Sequence, residues 1–396
     1  MDIDILKVSE RLKLDEVDIK KAFERKIISF DMYHNKKYLL FKKKLRHIER
    51  GTVLFLNNNM DIVMGYPKIR RAMMLYPTLK NYFINKIVVE EKLDGYNVRI
   101  TKIDNKVMAI TRGGRICPFT TKKALKFLNV NILDDYPNLM LCGEMIGLNN
   151  PYVPHYYPEV NNILIKSDKN NNKKTKIIEN LGFYIFDVRY RETNKPLSIS
   201  EKEELLQKYE LPYVKPIGIF NKEDIEHIKK IILTLNDKKR EGVVLKDPDM
   251  IINPIKYTTH YTQCNDLSVA FRYMYDLGID FMFSRLVREG YQSFEFNEDE
   301  KEMEKRAKNI GKSILYPMVN SIKNISKGEL ITEDFEIYLD SEEDLNEFLD
   351  YLKKLHIAFV VKENQKFENG MHKVKIGRIY NSTNDKIKSH LDGNLW

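Results

Sequence analysis

The chain has 396 residues, 43% hydrophobic and 11% aromatic, which is enough apolar material for two to four domains. It has no uncharged apolar run of about 18 residues and no basic N-terminal region followed by an apolar stretch, so we expect a cytoplasmic protein without membrane spans. The 3 cysteines form no C-x-x-C pair, which argues against a disulfide framework or a structural zinc site.

Positive charge is concentrated at the N-terminus. The formal charge of the chain is +9, and residues 1–80 hold 18 lysines and arginines against 10 acidic residues, a net charge of +8. Residues 36–46 interleave bases with aromatic side chains. That run is compatible with a surface that follows nucleic-acid phosphates and equally with a solvated face of a lysine-rich domain.

The first predicted unit is a small basic N-terminal domain, residues 1–80. Apolar residues recur at helical intervals up to residue 29, and short strands are expected at 38–41 and 52–56.

Short β-like runs dominate the next region, which predicts a domain over residues 81–262. The expected strands are 86–90, 98–103, 107–111, 139–142, 183–188 and 242–246. The polar stretch 167–175 has too few apolar residues to pack and is expected to be a surface loop.

Helices are expected from residue 263 to 330. One long helix is indicated by apolar residues at steps of three or four, namely Met303, Ala307, Ile310, Ile314, Met318 and Ile322. This stripe fits packing within the chain or a dimerisation surface. Residues 331–396 then predict a small α/β C-terminal domain with strands at 335–339, 357–361 and 371–379 and a helix that starts after Ser341.

The segment most informative about chemistry is Lys92-Leu93-Asp94-Gly95, which directly follows an apolar run and contains a turn signal. A neutral lysine amine can attack the α-phosphorus of a nucleoside triphosphate. An ordinary lysine pKa of ~10.4 keeps the amine protonated, so the site has to lower it. On its own the segment also fits a surface lysine beside a turn.

Five further segments follow Lys92 in the chain. Each contains a polar or aromatic candidate residue: Arg112 in Thr-Arg-Gly-Gly, Glu144 in Leu-Cys-Gly-Glu, Phe186 in Phe-Tyr-Ile-Phe-Asp, Glu241 and Lys246 in Arg-Glu-Gly-Val-Val-Leu-Lys, and Lys256 in Ile-Lys-Tyr. Taken singly, these are ordinary turn, edge, core or surface residues. In this order they resemble the motifs of the covalent nucleotidyltransferases, which comprise DNA ligases, RNA ligases and mRNA capping enzymes.

That resemblance implies an α+β fold with a ligase-type core of antiparallel sheets flanked by helices. It also implies a role for each candidate residue. Lys92 carries AMP, Glu90 accepts from the adenine amino group, Phe186 stacks on the purine, and Arg99 and Arg112 hold ribose or phosphate oxygens. Glu144 and Glu241 hold Mg²⁺ or Mn²⁺, and Lys246 and Lys256 neutralise the phosphates and lower the pKa of Lys92.

Over its whole length the chain most resembles the archaeal homodimeric ATP-dependent RNA ligases, in which a basic N-terminal unit, a nucleotidyltransferase core, a helical dimerisation domain and a small C-terminal domain follow one another. The resemblance implies ATP-dependent joining or circularisation of single-stranded RNA with 5′-phosphate and 3′-hydroxyl ends, carried out by a homodimer. The R-x-D-K-like motif of DNA ligases and capping enzymes is absent after Lys256, since Asp385-Lys386 lacks the arginine. A DNA ligase, a capping guanylyltransferase and a non-catalytic RNA-binding protein stay open as alternatives.

Overall fold

A computed structural model describes residues 3–167 and 174–395 of the chain. Within these residues helices and mostly antiparallel sheets alternate, which confirms the expected α+β class. The centre of the predicted loop at 167–175 lies outside the described residues. Its two ends belong to the strands that flank it. No helix in the described ranges is long and apolar enough to cross a membrane.

The N-terminal domain consists of two helices on a four-stranded antiparallel sheet of order β1-β2-β3-β4. Its elements are α1 (Ile5–Leu12), α2 (Glu16–Glu24), β1 (Ile28–Tyr33), β2 (Lys36–Phe41), β3 (Val53–Phe55) and β4 (Ile62–Val63). One face of the sheet packs on the helices. The other face packs on the next domain through Tyr38, Leu40 and Phe55.

The central domain contains two larger sheets. The first has the order β13-β6-β14-β15-β5 and the second the order β12-β9-β7-β8. Their strands are β5 (Arg70–Arg71), β6 (Lys86–Lys92), β7 (Gly95–Ile103), β8 (Lys106–Thr111), β9 (Leu139–Ile146), β12 (Gly182–Tyr190), β13 (Pro216–Asn221), β14 (Gly242–Lys246) and β15 (Ile255–Thr258). A separate hairpin is formed by β10 (Asn162–Ser167) and β11 (Lys174–Glu179).

Helices cover the outer faces of both sheets. They are α3 (Leu75–Tyr82), α4 (Pro118–Phe127), α5 (Ile132–Asp135), α6 (Ile199–Lys208) and α7 (Ile225–Asp237). Leu79 of α3 and Ile232 of α7 pack on the five-stranded sheet.

The central domain begins earlier than the predicted boundary at residue 80. Because β5 pairs with β15, the chain from Arg70 onward packs with the central domain.

Three helices follow the central domain: α8 (His260–Arg272), α9 (Ile279–Glu295) and α10 (Glu300–Ser326). The predicted long helix is confirmed, but its apolar stripe is not buried. Met303 and Ile322 are 48% and 39% exposed, whereas Pro317 and Ser321 of α10 are buried.

The C-terminal domain is a three-stranded antiparallel sheet of order β16-β18-β17 with two helices. Its elements are β16 (Thr332–Leu339), α11 (Glu342–Lys354), β17 (Phe359–Lys366), β18 (His372–Ile379) and α12 (Asn381–Leu391). Ser341 caps α11 by accepting a bond from the Asp344 amide. Phe348 of α11 packs against Phe119 of α4, so this domain shares a core with the central one.

Candidate active site

The Lys-Leu-Asp-Gly segment lies where the chain passes from one large sheet to the other. Lys92 is the last residue of β6 and Gly95 the first of β7. Gly95 is required by a close approach of two strands, because a Cβ there would lie 2.2 Å from the Met145 carbonyl oxygen. Between the sheets is a cleft of about 830 Å³. Eight of the nine predicted site residues line it: Glu90, Lys92, Arg112, Glu144, Phe186, Glu241, Lys246 and Lys256.

The Lys92 amine is only partly exposed and forms an ion pair. Its Nζ donates to Glu241 Oε2 at 2.6 Å, and this contact follows from the pairing of Lys92 with Gly242 in neighbouring strands. Burial lowers the pKa of Lys92, but the carboxylates of Glu241 and Glu144 raise it by more, so the net shift is upward. The expectation that the site lowers this pKa is therefore wrong for the protein without nucleotide.

Three carboxylates surround the Lys92 amine. Glu144 lies on β9, and Asp94 follows Lys92 in the connection between the sheets. Burial raises the pKa of Glu144 to about 8, with Glu241 and Asp94 adding to the rise. Burial likewise raises the pKa of Asp94 to about 7, and Glu241 contributes. The acidic groups outnumber the amine that they face, an arrangement that favours the binding of a further cation.

Two cations without partners lie beside this acidic group. Lys256 lies on β15 and lines the cleft. It stands opposite Arg71 in the parallel strand pairing of β15 with β5, so both side chains lie on one face of the sheet. Neither side chain has a hydrogen bond or an ion pair with another described residue. Burial lowers the pKa of Lys256 to about 8, assisted by the charge of Lys92, and burial also lowers that of Arg71. Two neighbouring cations that form no ion pair favour an anionic ligand such as a polyphosphate.

The opposite end of the cleft is aromatic. Phe186 lies at a β-bulge, since the register of β12 on β9 shifts between Ile185 and Asp187. A bulge bends its strand and re-aims the side chain that it carries. The Phe186 ring is half-buried in the cleft and meets the Tyr66 ring edge to face at 5.2 Å. One face of a base could stack on such a ring, as the resemblance implies.

Lys246 is not free to bind phosphate. Its side chain is 1% exposed, and its ammonium contacts Glu90 Oε2 at 2.6 Å, Asp187 Oδ1 at 2.9 Å and the Phe186 carbonyl at 2.7 Å. These contacts use all three N–H donors of the group. The predicted phosphate role of Lys246 is therefore corrected: it holds the bulge and Glu90 in place at the aromatic end.

Glu90 is equally buried, and both of its carboxylate oxygens have partners, since the other oxygen accepts from Lys202 Nζ at 2.7 Å. Its predicted contact with the adenine amino group stays a prediction.

Arg99 lies outside the cleft, so its predicted nucleotide contact is wrong. The side chain is completely buried under the N-terminal domain, where its guanidinium donates to the carbonyls of Gly51, Met64 and Thr111. Arg99 therefore fixes the two domains together. Arg112, by contrast, is exposed, lines the cleft and forms no described ion pair.

Sequence reasoning missed Arg71, Lys202 and Tyr66. Tyr66 donates to Asp187 Oδ2 at 2.6 Å and supports the Phe186 ring. None of the three lies in a recognisable motif, and each reaches the site through the packing of distant segments.

The basic run at 36–46 does not form a mixed basic and aromatic surface. Its aromatic residues Tyr38 and Phe41 are buried, while Lys42 is exposed. Its bases and aromatic rings therefore do not share one surface.

Comparisons with known proteins agree with this geometry. The family model for RNA ligase matches residues 85–258, and that for the C-terminal region of the ligase Pab1020 matches residues 269–394. An uncharacterised protein of Methanocaldococcus jannaschii, MJ0414, is 55% identical over 397 residues, covering 99% of this chain and 97% of that protein.

Solved structures also match nearly the whole chain. An archaeal ATP-dependent RNA ligase shares 38% identity with complete coverage of both chains and a TM-score of 0.90. A putative ATP-dependent DNA ligase from Aquifex aeolicus shares 27% identity, with 96% of this chain and 100% of that chain covered and a TM-score of 0.85.

The two-sheet cleft with a lysine at its junction defines a covalent nucleotidyltransferase. Within that class, the full-length similarity shows that the chain belongs to the family of archaeal ATP-dependent RNA ligases.

Proposed function

We propose that this protein is an ATP-dependent RNA ligase that joins a 5′-phosphate to a 3′-hydroxyl through a lysyl-AMP intermediate. The observation that best supports this is the position of Lys92, an amine in the cleft with carboxylates on one side and the unpaired Lys256 on the other. Family membership and the cleft residues point to the same chemistry.

The reaction consists of three displacements at phosphorus. The neutral Lys92 Nζ attacks the α-phosphorus of ATP, so that a P–N bond forms and pyrophosphate leaves. An oxygen of the RNA 5′-phosphate then attacks the same phosphorus, the P–N bond breaks and the amine is released. Finally the RNA 3′-hydroxyl attacks the 5′-phosphorus, loses its proton and displaces AMP.

Lys92 must lose its proton before the first displacement. In the absence of nucleotide Glu241 holds the ammonium at 2.6 Å, so this carboxylate is also the nearest acceptor for the proton. Positive charge on Lys256 and Arg112 would stabilise the negative charge that develops on the pyrophosphate.

Glu144 and Glu241 fit a divalent cation such as Mg²⁺ or Mn²⁺. Mg²⁺ is commonly held by one or two carboxylates together with the substrate's phosphates. The crowding of Glu144 by neighbouring carboxylates, which contributes to its raised pKa, suits that role. Among the described residues no three His, Cys, Asp or Glu side chains converge closely enough to hold a metal ion by themselves, although Glu144, Glu241 and Asp94 all lie around Lys92. When bound, the cation would neutralise phosphate charge.

A labelling experiment tests the proposal. Purified protein is incubated with Mg²⁺ and α-labelled ATP or GTP, and then with 5′-phosphorylated RNA or DNA strands. We expect an acid-labile adduct from ATP alone, transfer to RNA, and no adduct in Lys92→Ala. GTP labelling would indicate capping chemistry, DNA sealing would favour the activity named for the Aquifex relative, and no label with either nucleotide would contradict the proposal.

We also propose that the protein is a homodimer whose interface includes α9. The buried positions of α9 are polar, including Arg288, Glu289 and Gln292, while Phe283 and Phe294 are 64% and 72% exposed. An amphipathic helix of a monomer normally shows the opposite pattern. The exposed apolar face therefore supports a second copy of the chain as its partner.

A further inference from the structure

The cleft extends beyond the nucleotide site into a region built by three domains. This region, the far cleft, is lined by Lys42 and Arg50 of the N-terminal domain, Tyr152 of the central domain, and Tyr351 and Leu355 in and just after α11. No residue of the far cleft belongs to the motifs that hold the nucleotide. It is nevertheless continuous with the space around Lys92.

Aromatic rings with fixed positions line the far cleft. Tyr96 and Tyr152 meet edge to face with their centroids 4.6 Å apart. The Tyr96 hydroxyl bonds to Thr120 Oγ1 at 2.7 Å, and the Tyr152 hydroxyl lies 3.2 Å from Cys117 Sγ. Tyr351 and Tyr152 are both partly exposed to the cleft. Rings held in this way offer a stacking surface with little conformational entropy left to lose.

Two cations of the far cleft have no ion-pair partner among the described residues. Lys42 and Arg50 are exposed, and neither forms an ion pair with another residue that the structure describes. Arg112, which lines the same cleft near Glu144, is free in the same way. Aromatic rings beside free cations are the combination that binds single-stranded nucleic acid, in which bases stack and phosphates pair with the cations.

Helix α11 is held firmly as a wall of this region. Glu347 accepts from Lys122 of α4 at 2.9 Å and lies 3.3 Å from His34 of the first hairpin. Lys354 at its end pairs with Asp31 of β1. The helix is therefore tied to both other domains, and Tyr351 faces the cleft in a preformed position.

We propose that the far cleft binds a terminal nucleotide of the RNA, whose base stacks on Tyr152 and Tyr351 and whose phosphate is held by Lys42 and Arg50. The inference rests on the proposed RNA ligase function and assigns the C-terminal domain a part in substrate binding. Either terminal nucleotide has this chemistry, the one that carries the 5′-phosphate or the one that carries the 3′-hydroxyl.

The test separates the three steps of the reaction in full-length protein. Lysyl-AMP formation is measured with labelled ATP, transfer to RNA with a 5′-phosphorylated RNA blocked at its 3′ end, and sealing with pre-adenylated RNA. Tyr351→Ala should raise the KM for RNA about ten-fold or more in the transfer or the sealing step, since base stacking is worth ~1–3 kcal/mol. Lysyl-AMP formation should not change.

Tyr351→Phe is the matched control, because it keeps the ring and should keep a KM for RNA close to that of the wild type. The double variant Lys42→Ala/Arg50→Ala should also raise the KM for RNA. It alters only exposed side chains, so misfolding cannot account for that rise. A defect in transfer assigns the far cleft to the 5′ end, and a defect in sealing alone assigns it to the 3′ end.

An unchanged KM in Tyr351→Ala and in the double variant would overturn the inference. So would a loss of lysyl-AMP formation that parallels the loss of transfer. Failure of the wild-type protein to label or to seal RNA would instead contradict the proposed function, so the two failures are distinguishable.

Discussion

At the scale of single residues, the partly or fully buried cations near Lys92 differ in whether a carboxylate pairs with them. Lys246 and Lys202 form ion pairs with buried carboxylates, whereas Lys256 and Arg71 form no ion pair with any described residue. Burying an unpaired charge is costly, so a pair of such cations on one sheet face is expected to receive an anion.

Arg71→Ala should weaken ATP binding. A charge-assisted hydrogen bond is worth ~1.5–3 kcal/mol, so we expect the KM for ATP in lysyl-AMP formation to rise about ten-fold. The neighbouring Arg70 is exposed, and Arg70→Ala should leave that KM unchanged. Equal effects of the two substitutions would show that Arg71 acts only through the general charge of the surface.

Lys256 should take up protons when ATP binds. Burial and Lys92 hold its pKa at about 8, so the amine loses its charge as the pH rises through 8. A bound polyphosphate favours the charged form of Lys256 and raises this pKa. Proton uptake on ATP binding should therefore be large above pH ~8, where the free amine is mostly neutral, and small below pH ~7, where it is already protonated. The number of protons taken up is measured by calorimetry of metal-free ATP binding in buffers of different ionisation enthalpy.

Lys256→Arg is the control, because arginine stays charged throughout this range and the uptake assigned to Lys256 should vanish. Identical proton uptake in the two proteins at pH ~8.5 would assign the titration to another group, since only the side chain at 256 differs.

The candidate residues differ in what their position in the fold depends on. Glu144 and Glu241 reach the cleft because each belongs to a strand, or directly precedes one, whose apolar pattern is visible in the sequence. Lys246 lies on an equally clear strand, but its role depends on Glu90 and Asp187, which approach it only in the folded protein. The sequence could not reveal that pairing.

At the scale of elements, long alternating strands were predictable and short ones were not. β7 and β14 show apolar patterns and match the expected segments, while β5 has only two residues and no pattern of its own. Its pairing with β15 is what brings Arg71 to the site. The bulge at Phe186 is equally invisible in the sequence, because it arises from the register between two strands.

Gly95→Ala should disturb the junction between the two sheets. The added Cβ would lie 2.2 Å from the Met145 carbonyl oxygen, so β7 must move away from β9. Overpacking of this kind costs ~1–3 kcal/mol, which we expect as a lower free energy of unfolding in urea. Lysyl-AMP formation should fall too, because Lys92 lies next to the junction.

Gly113→Ala is a matched control near the same cleft, since a Cβ added at that position would meet no atom within 4 Å apart from those of Gly113 and its two chain neighbours. It should unfold at the same urea concentration as the wild type. If Gly95→Ala were as stable as Gly113→Ala, the strand junction would be more adaptable than the close contact indicates.

At the scale of the whole molecule, the exposed apolar face of α9 should control assembly. Phe283→Asp places a charge in that face and should convert the proposed dimer to a monomer in sedimentation velocity, because burying an unpaired carboxylate is unfavourable. Ile251 is 83% exposed outside the helical domain, so Ile251→Asp should sediment like the wild type. A Phe283→Asp protein that sediments like the wild type would exclude this face from the interface.

The parallel pairing of β5 with β15 also has a consequence for biosynthesis. β5 emerges from the ribosome early, yet its partner strand is among the last of the central domain to be made. Non-local pairing of this kind forms late and slowly. Lys92 is therefore synthesised long before the rest of the site that it needs to react with ATP. Chains that terminate before residue 255 should form no lysyl-AMP adduct.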